Sequence, residues 1–325
     1  MKGAIFLNIK RTDLALEMHE MLTEAADELS GVTKETEETE GVKISRIKIG
    51  TKQAEEKMGR PIGNYITLEL PDINLTLSEE NEKISTVLKN ELKKLIHLND
   101  NSVILIVGLG NRHITPDALG PCVISKLMVT RHLFQYIPEQ LDEGLRSVSA
   151  ISPGVLGITG IETVEIVKGI VDKVRPDYVI AIDALAARSV DRIISTVQLT
   201  DTGISPGAGV GNNRKGLSED TLGVPVIAIG IPTVIDAATI TSDTIDSLKE
   251  NMQSPLGVIG SISHMDEDER YNLIRKSADE KLTGFIVTPK DIDSLIEKTS
   301  KIVADGINLT LHENITLKDT EAFLS

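Results

Sequence analysis

The sequence predicts an α/β protein with a largely parallel, twisted sheet that helices cover on both faces. Three observations lead to this prediction: apolar strands run without alternation, helical segments separate them, and each strand ends in glycine or polar residues. The clearest strands are expected at 102–110, 177–185 and 224–232. Because such strands have no polar face, both faces of their sheet must be buried.

The first part of the chain reads differently. Residues 1–16 are expected to form an arm, and 12–30 has the apolar spacing of an amphipathic helix. The polar stretch 31–41 is interpreted as a linker. Segment 42–49 alternates apolar and polar residues, and segment 59–73 combines a turn signal with a second strand pattern. Together they predict a small added sheet at 42–73.

The remaining segments complete the alternation of strands and helices. Helices are expected at 78–98, 116–133, 160–174 and 233–252, a further strand at 192–200, and a strand followed by a helix at 284–311. We therefore expect one α/β domain over 17–325, with 253–325 as a C-terminal unit.

Composition excludes several classes of function. The net charge of −15, with 2% aromatic residues and no Trp, argues against binding a nucleic-acid backbone or stacking bases. The apolar runs are too short for a membrane span, and no secretory signal is recognisable, so a cytoplasmic location is expected. The single cysteine, Cys122, allows neither an internal disulfide nor a multi-cysteine metal site.

The candidate site lies at the carboxyl ends of the predicted strands, where open parallel sheets bind their ligands. Asp117 follows the first strand, Asp183 ends the apolar run of the second, and Thr233 follows the third. Two neighbouring carboxylates tend to split their pKa values, so that one keeps a proton while the other accepts one from water. Peptide-bond hydrolysis needs this division of labour.

Each acidic residue also has a structural interpretation. Asp117 follows Pro116 near a helix start, where a carboxylate caps the helix and favours its dipole. Asp183 at a strand end can accept a hydrogen bond from a loop backbone. The glycines at 108–110 lack the rest of a phosphate-binding motif, and neither HExxH nor GxSxG occurs.

A glycine-rich loop at 203–216 is a second candidate region. It either moves freely or folds over a substrate, offering backbone N–H groups or a cation to a developing oxyanion. The substrate-binding residues expected here and at the end of the third strand are Gly207, Gly209, Asn212, Arg214 and Thr233.

Several long blocks resemble the germination protease family of spore-forming bacteria. They are RTDLALEMHEML (11–22), VGLGNRHITPDALGP (107–121), SPGVLGITGIET (152–163), VIAIDALAARS (179–189), ISPGAGVGNNRKGLS (204–218), AIGIPTVIDAATI (228–240) and FIVTPKDIDSLIE (285–297). They occur in the family's order from about Arg11 to Leu311, so the resemblance covers nearly the whole chain.

The resemblance implies an atypical aspartic endopeptidase that degrades small acid-soluble, DNA-binding spore proteins at germination, inside the spore core. It implies a self-processing zymogen with a short N-terminal propeptide, a homotetramer, and an α/β/α sandwich like that of hydrogenase maturation proteases. The family's essential carboxylates fall on Asp117 and Asp183. We expect no cofactor and no metal, because only His113 lies near the strand ends to complete a carboxylate–histidine set.

Two alternatives of other kinds remain open. One is a metal-dependent maturation peptidase or amidase on the same fold, in which the strand-end acids are ligands. The other is a non-enzymatic α/β protein whose strand-end acids recognise a small ligand.

Overall fold

The computed structural model describes residues 12–25, 29–72, 78–141, 143–205, 215–251, 265, 269–270, 273–274 and 285–324. The strands are β1 (Val32–Thr39), β2 (Val42–Ile49), β3 (Gly63–Glu69), β4 (Val103–Gly108), β5 (Ser147–Ile151), β6 (Tyr178–Ala187), β7 (Thr196–Thr200), β8 (Val226–Asp236) and β9 (Ile286–Val287). The helices are α1 (Ala15–Ala25), α2 (Lys52–Met58), α3 (Ser78–Leu95), α4 (Leu119–Ile124), α5 (Arg131–Tyr136), α6 (Leu156–Thr159), α7 (Thr163–Val174), α8 (Glu219–Leu222), α9 (Ala237–Asn251), α10 (Ile292–Leu311) and α11 (Leu317–Leu324).

The described strands form one sheet in the order β1-β2-β3-β7-β8-β6-β4-β5, and β9 pairs with the end of β8. Strands β5, β4, β6 and β8 run parallel, and the remaining pairs are antiparallel. The three apolar strands of the sequence analysis are β4, β6 and β8. The α/β class is therefore confirmed, and the sheet is mixed, with its parallel part around these strands.

The two faces of the sheet bury separate apolar clusters. On β4, Ile104 and Ile106 face one cluster, which contains side chains of α3, α4 and α10. Leu105 and Val107 face the other cluster, which contains Val167 and its neighbours on α7. Because successive side chains of a strand point to opposite faces, one continuous apolar strand supplies both cores. The result is the predicted three-layer α/β/α sandwich.

The N-terminal strands continue this sheet. The predicted strands at 42–49 and 59–73 appear as β2 and β3, and β3 pairs with β7 of the main sheet. Helices α1 and α2 cover this end of the sheet, where Ile47, Ile49 and Tyr65 are buried against them.

The interpretation of 31–41 as a linker is wrong, because Val32–Thr39 is strand β1. It forms a hairpin with β2 through Glu40 and Gly41, whose φ angles are 53° and 75°. Strand β1 is the outermost strand, and its residues are exposed apart from the first. A strand with water on both faces needs no apolar residues, so its sequence looks like that of a linker.

The helix expected at 116–133 is interrupted. Helix α4 ends at Ile124 and α5 begins at Arg131. Between them, Thr130 forms hydrogen bonds with residues at and just before β5. Its N–H donates to the carbonyl of Val148, and its hydroxyl donates to the carbonyl of Arg146 at 2.5 Å. These tertiary hydrogen bonds override the helical pattern. None of the helices described is both long enough and apolar enough to cross a membrane.

Candidate active site

A cavity of about 410 Å³ opens at the carboxyl ends of the parallel strands. Strand β4 has β5 on one side and β6 on the other, so the strand order reverses there. Ligands of open α/β sheets bind at such a switch point. The polar lining includes Asp13, Asp117, Asp183 and Thr233, beside apolar residues such as Leu109 and Leu185. Three of the predicted site residues therefore meet in one cavity.

Asp183 is almost completely buried, with 4% of its surface exposed. It lies inside β6, which continues to Ala187, whereas the sequence analysis expected it at a strand end. The difference arises because β6 and β8 stay paired beyond the end of β4, whose last partner on β6 is Ile182. Asp183 thus follows immediately after the point where β4 stops. Its Oδ1 accepts a hydrogen bond from the N–H of Ala184 at 2.9 Å.

Asp117 is the last residue of a 3-10 turn, Thr115–Asp117, that precedes α4. Its N–H donates to the carbonyl of Ile114 at 2.8 Å, and its Oδ2 accepts from the N–H of Asn111 at 2.8 Å. Gly110 makes this close approach possible. It has a φ of +106°, and a Cβ there would lie 2.0 Å from the carbonyl oxygen of Asp117.

Thr233 lies on β8 and is fully buried. Its hydroxyl donates to the carbonyl of Pro116 at 2.6 Å. Its own carbonyl accepts from the hydroxyl of Thr288 at 2.9 Å. Thr233 therefore lines the cavity and contacts the turn that carries Asp117.

Sequence reasoning missed Asp13, a third carboxylate that lines the cavity. Its N–H donates to the carbonyl of Ala186 at 3.1 Å, and its Oδ2 accepts from the N–H of Ala186 at 2.9 Å. No local pattern could have identified it, because its position depends on pairing with a strand 173 residues further along the chain.

The segment around Asp13 is held firmly. The carboxamide of Gln198 accepts from the N–H of Ala15 at 2.6 Å and donates to the carbonyl of Asp13 at 3.1 Å. The guanidinium of Arg60 donates to the carbonyl of Thr12 at 2.6 Å. Leu14 is completely buried. The described part of the predicted arm therefore lies against the sheet, beside the cavity.

Four of the expected substrate-binding residues lie outside the described residues: Gly207, Gly209, Asn212 and Arg214. The base of their loop is described. There Ile204 and Leu217 exchange two backbone hydrogen bonds of 2.9 and 2.8 Å. A second cavity of about 310 Å³ lies at this base and shares Asp13 and Leu185 with the first cavity.

The other titratable candidates lie outside this arrangement. His113 is exposed, and its backbone N–H donates to Oδ1 of Asn111. Burial raises the pKa of the Cys122 thiol, which makes a thiolate nucleophile less accessible. Within the described ranges, no three or more His, Cys, Asp or Glu side chains are grouped so that they could hold a metal ion.

Two carboxylates in a largely apolar cavity can perform general acid–base chemistry. Charges interact more strongly in apolar surroundings than in water, and one of two nearby carboxylates can hold a proton while the other is ionised. A water molecule between the carboxylates would be deprotonated by one, while the other donates a proton to a leaving group.

Comparison with known proteins identifies the family of the chain. The family model described as germination protease matches residues 8–253 and 249–324. The germination protease of Clostridium tetani is 47% identical, over 97% of this chain and 99% of that protein. That of Caldanaerobacter subterraneus is 47% identical over 97% and 98%, and that of Clostridium acetobutylicum is 46% identical over 98% and 100%.

Among solved structures, a NiFe hydrogenase maturation protease from Thermococcus kodakarensis aligns with 45% of this chain and 80% of its own. The sequence identity is 19% and the TM-score is 0.28. The family match and the relatives together cover nearly the full length, and the chain therefore belongs to the germination protease family.

Proposed function

We propose that this chain is an endopeptidase in which Asp117 and Asp183 activate water for attack on a peptide bond. The observation that carries the proposal is that the two carboxylates, supplied by different elements, line one cavity at the switch point of the sheet. Membership of a peptidase family agrees with hydrolysis.

The two carboxylates would share the proton transfers of the reaction. One accepts a proton from water as its oxygen attacks the carbonyl carbon, and the other donates a proton to the departing nitrogen. The products are a free carboxyl and a free amine, and one further proton exchange with solvent restores the pair. Two carboxylates that act on one water molecule would titrate as a pair, so the pH dependence of cleavage would belong to the pair and to neither residue alone.

The proposed substrates are small acid-soluble, DNA-binding spore proteins, degraded in the spore core at germination. The relatives, each of which is named a germination protease, support a protease that acts at germination. The substrate class is the one that the family resemblance implies. The chain carries a net charge of −15, which suits a protein partner better than a polyphosphate. The loop between β7 and β8, two strands that line the second cavity, contains four residues that we propose as substrate contacts: Gly207, Gly209, Asn212 and Arg214.

We also propose synthesis as a self-processing zymogen and assembly as a homotetramer. The position of Asp13 supports the first proposal, because this N-terminal residue lines the cavity that contains Asp117 and Asp183. The boundary of the propeptide within 1–16 stays a prediction, and sedimentation at four times the 35.2 kDa mass of one chain would support the tetramer.

The most direct test is incubation of the purified protein with a small acid-soluble spore protein, followed by mass spectrometry of both proteins. We expect the substrate to appear as a few internal fragments, and the protein itself to lose an N-terminal peptide. A folded protein that leaves the substrate at full mass would contradict the proposal. Cleavage that stops with a chelator and returns with added metal would favour the metal-dependent alternative.

A further inference from the structure

Thr233 occupies an irregular position in the sheet. Strands β6 and β8 pair in register up to Leu185 and Pro232, and then Ala186 pairs with Val234. Thr233 is the extra residue at this shift and has no partner on β6. Bulges of this kind occur next to active sites, where they redirect a side chain.

The redirected side chain makes one short hydrogen bond. The Thr233 hydroxyl, fully buried, donates to the carbonyl of Pro116 at 2.6 Å. Pro116 directly precedes Asp117 in the 3-10 turn. A hydrogen bond to this carbonyl fixes the peptide plane from which Asp117 projects into the cavity.

The same strand also locates the other carboxylate. Gly230 of β8 is the pairing partner of Asp183 on β6. Thr233 lies three residues further along β8. One short stretch of β8 therefore pairs with Asp183 and also contacts the turn that carries Asp117. On the opposite side, the hydroxyl of Thr288 bonds the carbonyl of Thr233 and restrains the bulge.

We propose that Thr233 is a positioning residue that sets the separation of Asp117 and Asp183 through its hydrogen bond to the carbonyl of Pro116. This inference rests on the proposed function, since it assigns Thr233 a part in the reaction of those two carboxylates. The alternative is that the Thr233 hydroxyl only fills its hydrogen-bonding requirement in the core. In that case its removal would change the stability of the protein but not the chemistry of the two carboxylates.

The test compares Thr233→Val, Thr233→Ser and the wild type on a small acid-soluble spore protein. Valine keeps the branched shape and removes the hydroxyl, while serine keeps the hydroxyl. We expect kcat of Thr233→Val to fall about 10- to 100-fold, because a displacement near 1 Å costs about that much in a preorganised site. KM should change less than about threefold, and Thr233→Ser should recover most of kcat if the hydrogen bond is responsible.

A matched control separates this role from general loss of a buried hydroxyl. Thr196 on β7 is also buried, and its hydroxyl has no hydrogen-bond partner within the described part of the protein. Thr196→Val should therefore leave kcat unchanged. The pH profile of kcat is the second readout: Thr233→Val should change the spacing of its two limbs, because the separation of two carboxylates sets how strongly each affects the other.

The outcomes distinguish this inference from the proposed function. If Asp117→Asn and Asp183→Asn abolish cleavage but Thr233→Val retains wild-type kcat and pH profile, the positioning role is wrong and the carboxylate mechanism stands. If serine fails to restore what valine removes, the hydroxyl is not responsible and the inference is also overturned. If both asparagine variants cleave normally, the proposed function itself fails.

Discussion

Asp117 reaches the cavity because residue 110 has no side chain. A Cβ on Gly110 would lie only 2.0 Å from the carbonyl oxygen of Asp117, so the turn can approach the segment after β4 this closely only at a glycine. The sequence pointed to Asp117 because it begins the helical segment after the first apolar strand, and to Asp183 because it ends the apolar run of the second. Sequence reasoning could not find Asp13, which reaches the cavity only through its pairing with Ala186.

Replacement of Gly110 by alanine should impair both folding and cleavage. The new Cβ would lie 2.0 Å from a backbone oxygen at a φ of +106°, so the turn with Asp117 must move. We expect a loss of about 2–4 kcal/mol in the free energy of unfolding and at least about a tenfold loss in kcat. Denaturant melts and cleavage assays measure the two effects.

Gly41 provides the control for this substitution. It also has a positive φ, +75°, but a Cβ there would meet nothing within 4 Å. Gly41→Ala therefore tests the backbone strain without the collision, and should cost only about 1–2 kcal/mol with kcat unchanged. If Gly110→Ala and Gly41→Ala lose the same free energy of unfolding and have the same kcat, the close approach of Gly110 to Asp117 is unimportant.

At the scale of elements, the sequence predicted best where local pattern and tertiary environment agree. Strands β4, β6 and β8 are continuously apolar because both of their faces are buried. Strand β1 was not predicted, because neither of its faces is buried and its sequence therefore lacks an apolar pattern. The helix expected at 116–133 was interrupted by hydrogen bonds that Thr130 makes to distant residues, and no helical periodicity reports such bonds.

The contact of α4 with the end of β4 gives a prediction at this scale. A Cβ on Gly120 would lie 2.3 Å from the carbonyl oxygen of Leu109, so Gly120→Ala must push the helix away from the strand. We expect the free energy of unfolding to fall by about 1–3 kcal/mol. Thermal or denaturant melts measure it.

Gly169, inside α7, is the control for this substitution, because it has space for a side chain. A Cβ there meets no atom within 4 Å, so Gly169→Ala should stabilise the protein by about 0.5–1 kcal/mol through helix propensity. A stabilising Gly120→Ala would contradict the close contact of α4 and β4.

At the scale of the whole molecule, the end of helix α10 is joined to the sheet by a polar cluster around the buried side chain of Arg146. Arg146, just before β5, donates to the carbonyls of Asn99 and Leu311 at 2.7 and 2.9 Å and forms an ion pair with Glu313. The backbone N–H of Arg146 donates to Nδ1 of His312 at 3.3 Å. The composition of these segments gave no indication of this cluster, because its members are far apart in the chain.

His312 should make the whole fold sensitive to acid. Desolvation by burial lowers its pKa from 6.5 to about 4, and 2% of its surface is exposed. Between pH 6.5 and 4 the unfolded chain binds a proton that the folded chain does not, so stability falls as the pH falls. The loss should approach on the order of 3 kcal/mol near pH 4.

A His312→Gln variant should lose this part of the pH dependence, measured by denaturant melts at pH 7 and pH 4.5. The exposed His132 provides the control, and His132→Gln should retain the wild-type dependence. If His312→Gln and the wild type lose the same stability over this range, the protonation of His312 does not contribute.

The measurement that bears most directly on the whole account is cleavage of a small acid-soluble spore protein by Asp117→Asn, Asp183→Asn and a control, Asp172→Asn. Asp172 lies on α7 with 63% of its side chain exposed, away from the cavity. We predict that the first two variants fold normally and lose at least about 10³-fold in kcat, while the control keeps wild-type activity. Normal cleavage by either site variant, with circular dichroism and oligomer size unchanged, would contradict the assignment of these two carboxylates to the reaction.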